Sequence, residues 1–538
     1  MFRICYFLFL IPLLIMSSCQ DKQKADYIFT DGKVYTVNDS MNVAEAFAVR
    51  NGRFLAVGSA AEITASYNAD SVIDLNGKPV YPGFIDPHCH FWGYGTVLQQ
   101  ADLTGTKSEK EMLQRLKDFA AAHPNAGWIQ GRGWDNTMWP DKQMPDNKAL
   151  DSLFSQKPVV LRRVDGHAVL ANSRAIERAK KNLPKETGLP PGIYLDQNAQ
   201  IILDSVPELN EKQKQRALLD AQRDAFEVGL TSVHDAGMDW HWVERIKKMQ
   251  EQELLKMRIY GMLNPTRKNL NKLYDGPVET DFLHIRSLKL YADGALGSRG
   301  AKLIKPYSDN PETNGLLLIQ PDSMLSLCQL AYDLGFQVNT HAIGDSAVRM
   351  TLDIYSKVLK EHNDFCWRIE HSQIVHPDDM AKFGAFDIIP SVQTTHATSD
   401  MDWAGERLGE ERLKTAYCYN DLLEQNGWLP NGSDFPVEDI NPLYGFYAAV
   451  ARKDRQGNPE NGFMPEQALS REEALKAMTR WAAKAAFEED IKGSIEKRKM
   501  ADFVILDTDI MNSNTPLEKV HNAKVLKTYL DGELVYSK

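Results

Sequence analysis

The stretch of sequence that decides the fold is Val80-Tyr81-Pro82-Gly83-Phe84-Ile85-Asp86-Pro87-His88-Cys89-His90. It is a largely apolar run that ends in two histidines one residue apart. Alternate residues of a strand point to the same side, so His88 and His90 are predicted to aim two imidazoles in one direction. Cys89 is then expected to face the opposite side and to pack rather than bind. A single His-x-His pattern is a weak signal for a metal site. Whether it indicates one depends on which other residues the fold brings close to it.

Strand-like apolar runs alternate with helical patterns through the middle of the chain. Eight runs are predicted to be buried strands, at residues 80–86, 230–235, 258–263, 287–292, 336–341, 367–371, 387–393 and 428–434. Strands that alternate with helices form parallel sheets, and eight such units predict an α/β fold of the (β/α)8 or TIM-barrel type. We expect this barrel to occupy residues 80–493.

Both ends of the chain contain short strand patterns with hairpin signals at Asp31-Gly32, Asn51-Gly52 and Asp531-Gly532. Neither end holds enough strands for a stable sheet alone. Residues 25–79 and 494–538 are therefore predicted to pair into one small β-sandwich domain. Residues 91–229 are too many for a loop and predict a subdomain inserted after the first barrel strand, at the barrel mouth.

Residues 1–19 have the pattern of a secretory leader, with Arg3, an apolar run over residues 4–16, and then Ser17-Ser18-Cys19. Cys19 resembles a lipobox cysteine, whose thiol is lipidated and becomes the first residue of the mature chain. This predicts an exported bacterial lipoprotein in the periplasm or at the cell surface, which contacts the membrane only through its lipid. An ordinary signal peptide with a chance cysteine is the alternative.

The composition is that of a globular protein, with 43% hydrophobic and 25% charged residues. The formal net charge is −11 and no extended basic run is present, which argues against a nucleic-acid partner. We therefore expect a small-molecule substrate. Whether identical chains associate is left open by the sequence.

Chemically active side chains fall at the ends of several predicted strands. Because the carboxyl ends of barrel strands meet at one rim, these side chains are predicted to converge although they lie far apart in the sequence. The chain has only 13 histidines, so four of them at strand ends are an improbable accident. Imidazole and carboxylate donors suit Zn²⁺, with Fe, Mn or Ni as alternatives. The predicted metal-site residues are His88, His90, Lys289, His341, His371 and Asp434.

Longer motifs around these residues resemble the amidohydrolase superfamily. The similarity is to its amidohydrolase family 3 branch, which includes the N-substituted formamide deformylases. Besides the opening stretch, the matching motifs are DGH at 165–167 with Asn172-Ser173, LKLYADGALGSR at 288–299, NTHAIGD at 339–345, IEH at 369–371 and GSDFPV at 432–437.

The resemblance implies a site with one or two divalent metals. His88 and His90 would bind the more buried ion, and His341 and His371 the second. Lys289 would be carboxylated and would bridge the two ions, since an ordinary ammonium group has no lone pair to offer. Asp434 would be both a ligand and the general base. With hydroxide supplied at the metal, the implied reaction is hydrolysis of a non-peptide C–N bond in a small amide, formamide or cyclic amide.

Four further residues are expected to contact substrate: His167, His234, Arg299 and His396. Their alternatives are structural: a hydrogen bond for His234, a salt bridge for Arg299 and a loop position for His396. Two other functions stay open. The same site could cleave an ester, lactone or other acyl bond, and a lipid-anchored binding protein with an inactive site is a minor alternative.

Overall fold

The computed structural model describes residues 22–164, 168–179, 183 and 189–538. The predicted leader with Cys19, and His167, lie outside these residues. The strands, numbered β1 to β23 in chain order, are Gln23–Thr30, Lys33–Tyr35, Val43–Ala44, Ala46–Arg50, Arg53–Gly58, Tyr67–Asp74, Pro79–Pro82, Phe84–Cys89, Ala101–Asp102, Ile129–Trp134, Val159–Arg163, Ala168–Ala171, Ile193–Leu195, Leu230–Met238, Arg258–Leu263, Val278–Glu279, Leu283–Tyr291, Gln337–Ala342, Arg368–His371, Ile389–Ser391, Phe503–Leu506, Val525–Leu530 and Glu533–Ser537.

The helices, α1 to α19 in chain order, are Ala60–Ser66, Phe91–Val97, Glu109–Ala122, Lys148–Leu153, Ser173–Ala179, Asp196–Asp204, Glu211–Glu227, Trp240–Glu251, Arg267–Leu273, Pro321–Asp333, Asp345–Val358, Pro377–Ala385, Thr394–Leu408, Glu410–Leu413, Tyr419–Asn426, Pro442–Ala451, Arg471–Ala477, Arg480–Lys484 and Leu517–Val520. Short 3₁₀ turns span Asn136–Met138 and Pro465–Gln467. Within the described residues, no helix is both long and apolar enough to cross a membrane.

A barrel of parallel strands with helices between them forms the centre of the molecule, which confirms the predicted α/β barrel. Within the described part of the chain, seven strands pair side by side in the order β8, β14, β15, β17, β18, β19, β20. All six pairings are parallel. The strands are mostly buried on both faces, because helices cover the outside of the barrel and side chains fill its interior.

The eighth predicted strand, residues 428–434, closes the barrel without forming a regular ladder. On one side Gly432 donates its backbone N–H to the Val392 carbonyl at 2.9 Å. On the other side Asp434 donates to the His88 carbonyl at 2.7 Å. Among the described residues, this segment forms a single parallel bridge, between Asn431 and Val392, which follows β20. Asp434 then has a left-handed backbone (φ 63°), outside the extended conformation.

The first predicted strand is divided between two sheets. Residues 79–82 form β7 and pair with terminal strands, and the barrel strand β8 begins at Phe84. Gly83 is the point of transfer. A side chain is excluded there because a Cβ atom would lie 2.2 Å from Thr231 Oγ1 of the neighbouring strand β14.

The two ends of the chain build two sheets that pack face to face. One sheet has the order β5-β4-β1-β6, and the other has the order β23-β22-β21-β7-β2-β3, so the second contains strands from both ends. Aromatic rings fill the space between them. Phe503 in one sheet lies 5.1 Å from Phe29 and 5.0 Å from Phe47 in the other, measured between ring centroids. Edge-to-face contacts of this kind stabilise such a layer beyond the burial of apolar area.

Two of the three predicted hairpins are confirmed. Asn51-Gly52 joins the antiparallel strands β4 and β5, and Asp531-Gly532 joins β22 and β23. All four residues have positive φ, as a two-residue hairpin turn needs. The prediction at Asp31-Gly32 is wrong, because β1 and β2, which flank this pair, belong to different sheets. The turn there transfers the chain from one layer to the other.

The segment between β8 and β14 contains its own sheet, in the order β13-β12-β11-β10-β9. Trp134 and Trp139 are buried in the core of this sheet and donate their indole N–H groups to backbone carbonyls. They therefore stabilise the inserted segment.

Replacement of Gly432 by alanine should destabilise the closed barrel. The added Cβ would lie 2.7 Å from both Asp86 Oδ1 and His88 N, inside van der Waals contact. Overpacking of this kind costs about 1–3 kcal/mol. Denaturant unfolding followed by tryptophan fluorescence should show a lower midpoint for Gly432→Ala. Gly127→Ala is the control, since a Cβ there meets nothing within 4 Å. Equal midpoints for both variants would contradict this account of closure.

Candidate metal centre

The predicted ligand residues meet at the carboxyl ends of the barrel strands. His88 lies on β8, Lys289 on β17, His341 on β18 and His371 at the end of β19, while Asp434 lies on the closing segment. His90 follows β8 and is the most accessible of the six, with 33% of its side chain exposed. The structure thus brings all six residues to one rim of the barrel.

Asp434 is at the centre of the group. Its Oδ1 atom lies 3.1 Å from His90 Nε2 and 3.4 Å from His88 Nε2. The ring of His371 is 4.8 Å from that of His88 and 4.5 Å from that of His341, measured between centroids. His88, His371 and Asp434 each offer a ligand atom, and these atoms lie within 4.8 Å of one another.

The donor atoms fit a divalent metal. His371 Nδ1 and His341 Nε2 are buried and make no hydrogen bond with any described residue. Buried polar atoms without partners are rare in folded proteins and call for an explanation such as an ion. Neutral imidazole nitrogens together with a carboxylate oxygen are the donor set that zinc prefers.

The electrostatic environment keeps these donors in the form that binds cations. Burial and the nearby Lys289 lower the pKa of His341 to about 3, so its ring is neutral at physiological pH. Burial also holds the pKa of His371 well below its ordinary value. For Asp434, burial acts to raise the pKa, but the neighbouring His88 and His90 outweigh it and keep the carboxylate ionised.

Lys289 is an unusual lysine, because only 1% of it is exposed. Burial lowers its pKa to about 8, although the carboxylates of Glu370 and Asp434 act in the opposite direction. Its Nζ atom lies 5.2 Å from the centroid of the Tyr291 ring. More of the amine is therefore uncharged near neutral pH than in an ordinary lysine, and that part has a lone pair available.

Glu370 is a site residue to which the sequence analysis gave no role. Its Oε2 atom lies 2.5 Å from His88 Nδ1, so the hydrogen on that nitrogen is directed at the carboxylate and Nε2 faces Asp434. This is the usual arrangement behind a metal-binding histidine. Glu370 alternates with Arg368 on the inward side of β19, and two charged residues at alternate positions of a buried strand were the signal that could have found it.

Two other acids fix the backbone around the centre. Asp86 accepts hydrogen bonds from the amide of His88 and from the amide and hydroxyl of Ser433. Asp293 accepts from the amides of Ile343, Gly344 and Lys302 and lies 3.7 Å from His341. Both carboxylates therefore tie together segments that carry ligands.

His371 and Asp434 both have left-handed backbone conformations, with φ of 74° and 63°. Such conformations cost about 1–3 kcal/mol for residues other than glycine, and they concentrate at functional sites. The amide of Asp434 is held by the His88 carbonyl. The strain therefore turns two side chains toward a common point where strand geometry alone would not.

Of the predicted substrate contacts, His396 lies at the centre. Its ring stacks on His371 at 5.8 Å, and its Nε2 atom is 3.8 Å from Asp434 Oδ2.

The structure does not place His234 or Arg299 where the prediction of substrate contact requires. His234 is fully buried within β14, against Tyr260, and its Nδ1 atom lies 3.2 Å from Arg368 Nη1. Arg299 forms a two-point ion pair with Asp309, which occupies the guanidinium edge that a substrate carboxylate would use.

The match to a family model covers residues 71–536, and that model describes the amidohydrolase family. The chain belongs to the amidohydrolase family. Protein LONG AFTER FAR-RED 3 of Arabidopsis thaliana is 33% identical over 95% of this chain and 92% of its own length. The N-substituted formamide deformylase of Arthrobacter pascens is 26% identical over 96% of this chain and 99% of its own.

This chain is also similar to a solved structure of a metal-dependent hydrolase. An uncharacterized metal-dependent hydrolase from Pyrococcus furiosus superposes with a TM-score of 0.77 at 30% identity, covering 90% of this amidohydrolase and 100% of that chain. The family and these neighbours support an enzyme of the metal-dependent hydrolase type.

Metal uptake should depend on His88 and not on its neighbour Cys89. His88 turns Nε2 toward Asp434, whereas the Cys89 thiol contacts the His234 carbonyl at 3.5 Å, away from the centre. We expect His88→Ala to lose bound metal and Cys89→Ala to keep it, with at most a loss of about 1 kcal/mol of stability. Inductively coupled plasma mass spectrometry after dialysis measures this. Retention of metal by His88→Ala, or its loss from Cys89→Ala, would refute the assignment.

Proposed function

We propose that this chain hydrolyses a non-peptide C–N bond of a small molecule, an amide, formamide or cyclic amide, with the help of one or two divalent ions, Zn²⁺ in the first instance. The cluster of His88, His371 and Asp434, whose ligand atoms lie within 4.8 Å of one another, supports this proposal best. Beside it, the buried imidazole nitrogens His341 Nε2 and His371 Nδ1 have no hydrogen-bond partner among the described residues. A solvated or structural cluster would satisfy those nitrogens with protein hydrogen bonds.

In the proposal, the ions are held by His88, His90, Lys289, His341, His371 and Asp434. When bound, they lower the pKa of water and polarise the scissile carbonyl. Glu370 keeps His88 in the tautomer that leaves Nε2 free. The burial of the centre limits the access of bulk water and strengthens each electrostatic interaction within it.

Lys289 contributes in this proposal as a carbamate. Its uncharged amine attacks the carbon of CO₂, a C–N bond forms, and one proton leaves to solvent. The product is a carbamate whose single negative charge is shared by two oxygens, and these would serve as ligands for the ions, which an ammonium group cannot do. The lowered pKa of Lys289 supports this step, because it leaves more of the amine in the form that reacts.

Asp434 moves the proton. Its carboxylate accepts a proton from the attacking water and returns it to the departing nitrogen, since an amine anion is a very poor leaving group. We expect His396, whose Nε2 atom lies 3.8 Å from Asp434 Oδ2, to contact the substrate beside the reacting atoms.

A substrate panel tests the proposal. Metal-loaded protein should release amine from N-substituted formamides and N-acyl amines faster than it cleaves esters, lactones or dipeptides of similar size. Asp434→Asn should lower kcat/KM by about 10²- to 10⁴-fold, because it removes the proton carrier. Lys289→Ala should lower both metal content and turnover. Preference for esters would favour the acyl-bond alternative. Wild-type protein that takes up no metal and turns over none of these substrates would contradict the proposal that the chain is an enzyme.

We also propose that the chain is exported and lipid-anchored through Cys19, a proposal that rests on the leader pattern of residues 1–19. Expressed in a bacterial host, the full chain should fractionate with membranes and incorporate radiolabelled palmitate. Cys19→Ser should abolish the label and release the protein, while Cys328→Ser, a buried cysteine elsewhere in the chain, should change neither. Equal fractionation of wild type and Cys19→Ser would exclude the anchor.

A further inference from the structure

The guanidinium group of Arg368 is fully buried inside the barrel, and none of the ligand roles proposed above involves it. Its Nε atom lies 3.1 Å from Glu370 Oε1 in an ion pair. Its Nη1 atom donates to the carbonyl of Pro87 at 3.2 Å and lies 3.2 Å from His234 Nδ1. One side chain on β19 thus reaches β8 and β14.

These contacts reach His88 from two directions. Glu370, which pairs with Arg368, is the residue that receives the His88 Nδ1 hydrogen and so sets the plane of the ring. Pro87, whose carbonyl accepts from Arg368, is the residue immediately before His88. Both the ring and the backbone of one ligand are therefore connected to a single rigid group.

His234 completes the arrangement. An arginine can only donate, so His234 Nδ1 must accept, and its hydrogen is on Nε2. His234 thereby serves as a neutral acceptor that orients the guanidinium plane, and its buried ring packs against Tyr260 with 5.1 Å between the ring centroids. This assigns a structural use to a histidine for which we had expected substrate contact.

We propose that Arg368 is a positioning residue of the metal centre, holding the ring of His88 through Glu370 and its backbone through Pro87. The inference rests on the proposed function, since it concerns the affinity of that site for its ion. Arginine is required because its planar fork presents several donors in fixed directions, whereas a lysine ammonium is a single point charge that cannot hold the carboxylate and the carbonyl in the same way.

The chain offers a matched control in Arg258. It is also a buried arginine on a barrel strand, 1% exposed, and it pairs with Asp502 through Nε at 2.7 Å and Nη2 at 3.0 Å. Its further partner Asp531 lies in the terminal hairpin, so this pair joins the barrel to the terminal sheets and not to the metal centre. A variant of Arg258 therefore measures the effect of losing a buried arginine, without any change at the residues around His88.

The experiment compares full-length wild type with Arg368→Lys, Arg368→Gln, Glu370→Gln and Arg258→Lys. The dissociation constant for Co²⁺ is measured by competition with a chelator, the visible absorption of the Co²⁺ form reports ligand geometry, and thermal unfolding of the metal-free proteins reports stability. Variants of residues that orient metal ligands typically weaken binding 10- to 100-fold. We expect that loss, with an altered Co²⁺ spectrum, for Arg368→Gln and Glu370→Gln, and a smaller loss for Arg368→Lys.

Arg258→Lys should lower the unfolding temperature but leave the Co²⁺ dissociation constant and spectrum unchanged. If Arg368→Gln does not fold, Arg368→Lys and Glu370→Gln decide the question. Wild-type affinity and spectrum in the folded Arg368 and Glu370 variants would overturn this inference and leave the proposed function intact. A wild-type chain that binds no Co²⁺ or Zn²⁺ would overturn both.

Discussion

The hydrogen bond from the Asp434 amide to the His88 carbonyl, 2.7 Å long, is the contact on which the centre depends. It closes the barrel by joining the last segment to the first strand, and at the same point it brings the last ligand residue against the first. A second hydrogen bond, from the His90 amide to the Phe435 carbonyl at 2.8 Å, joins the same two segments, and we call this junction the seam. Closure and assembly of the site are therefore one event, and a failure of either would undo the other.

This seam needs a tight fit. Asp86 receives hydrogen bonds from both sides of it, from His88 on the first strand and from Ser433 on the closing segment. Gly432 leaves room for this carboxylate, because any side chain there would overlap it. Burial raises the pKa of Asp86 to about 6, despite the hydrogen bonds that act to lower it. Asp86 thus joins the two segments, and the hydrogen bonds that it accepts from His88 and Ser433 favour its ionised form.

Much of the centre could be predicted from the sequence, because strand alternation and the common rim of barrel strands place distant residues together. His88 and His341 follow from that rule alone. The rule fails where the backbone leaves regular strand geometry, as at His371 and Asp434, whose left-handed φ angles set the directions of their side chains. The rule also cannot tell to which of two packed sheets a strand belongs. The hairpin predicted at Asp31-Gly32 was wrong for this reason, because the strands on either side of it belong to different sheets.

Contacts between long side chains from distant parts of the chain were harder to predict from the sequence. The ion pair of Arg299 with Asp309 involves a loop whose course no periodicity describes. Glu370 stands beside a predicted ligand in the sequence, but its contact with His88 joins residues on strands that are not neighbours in the sheet. Only the three-dimensional closure of the barrel makes that pair visible.

The interior of this barrel is costly to fold without an ion. Each buried polar atom that lacks a partner costs about 1–3 kcal/mol, and His341 Nε2 and His371 Nδ1 are two such atoms. A folded protein has only about 5–15 kcal/mol of net stability to offset such costs. A cation that binds the folded chain would recover part of this free energy. In its absence the charged framework of Arg368, Glu370 and Asp86 has to keep the donors in place, which explains why the residues behind the ligands are as deeply buried as the ligands themselves.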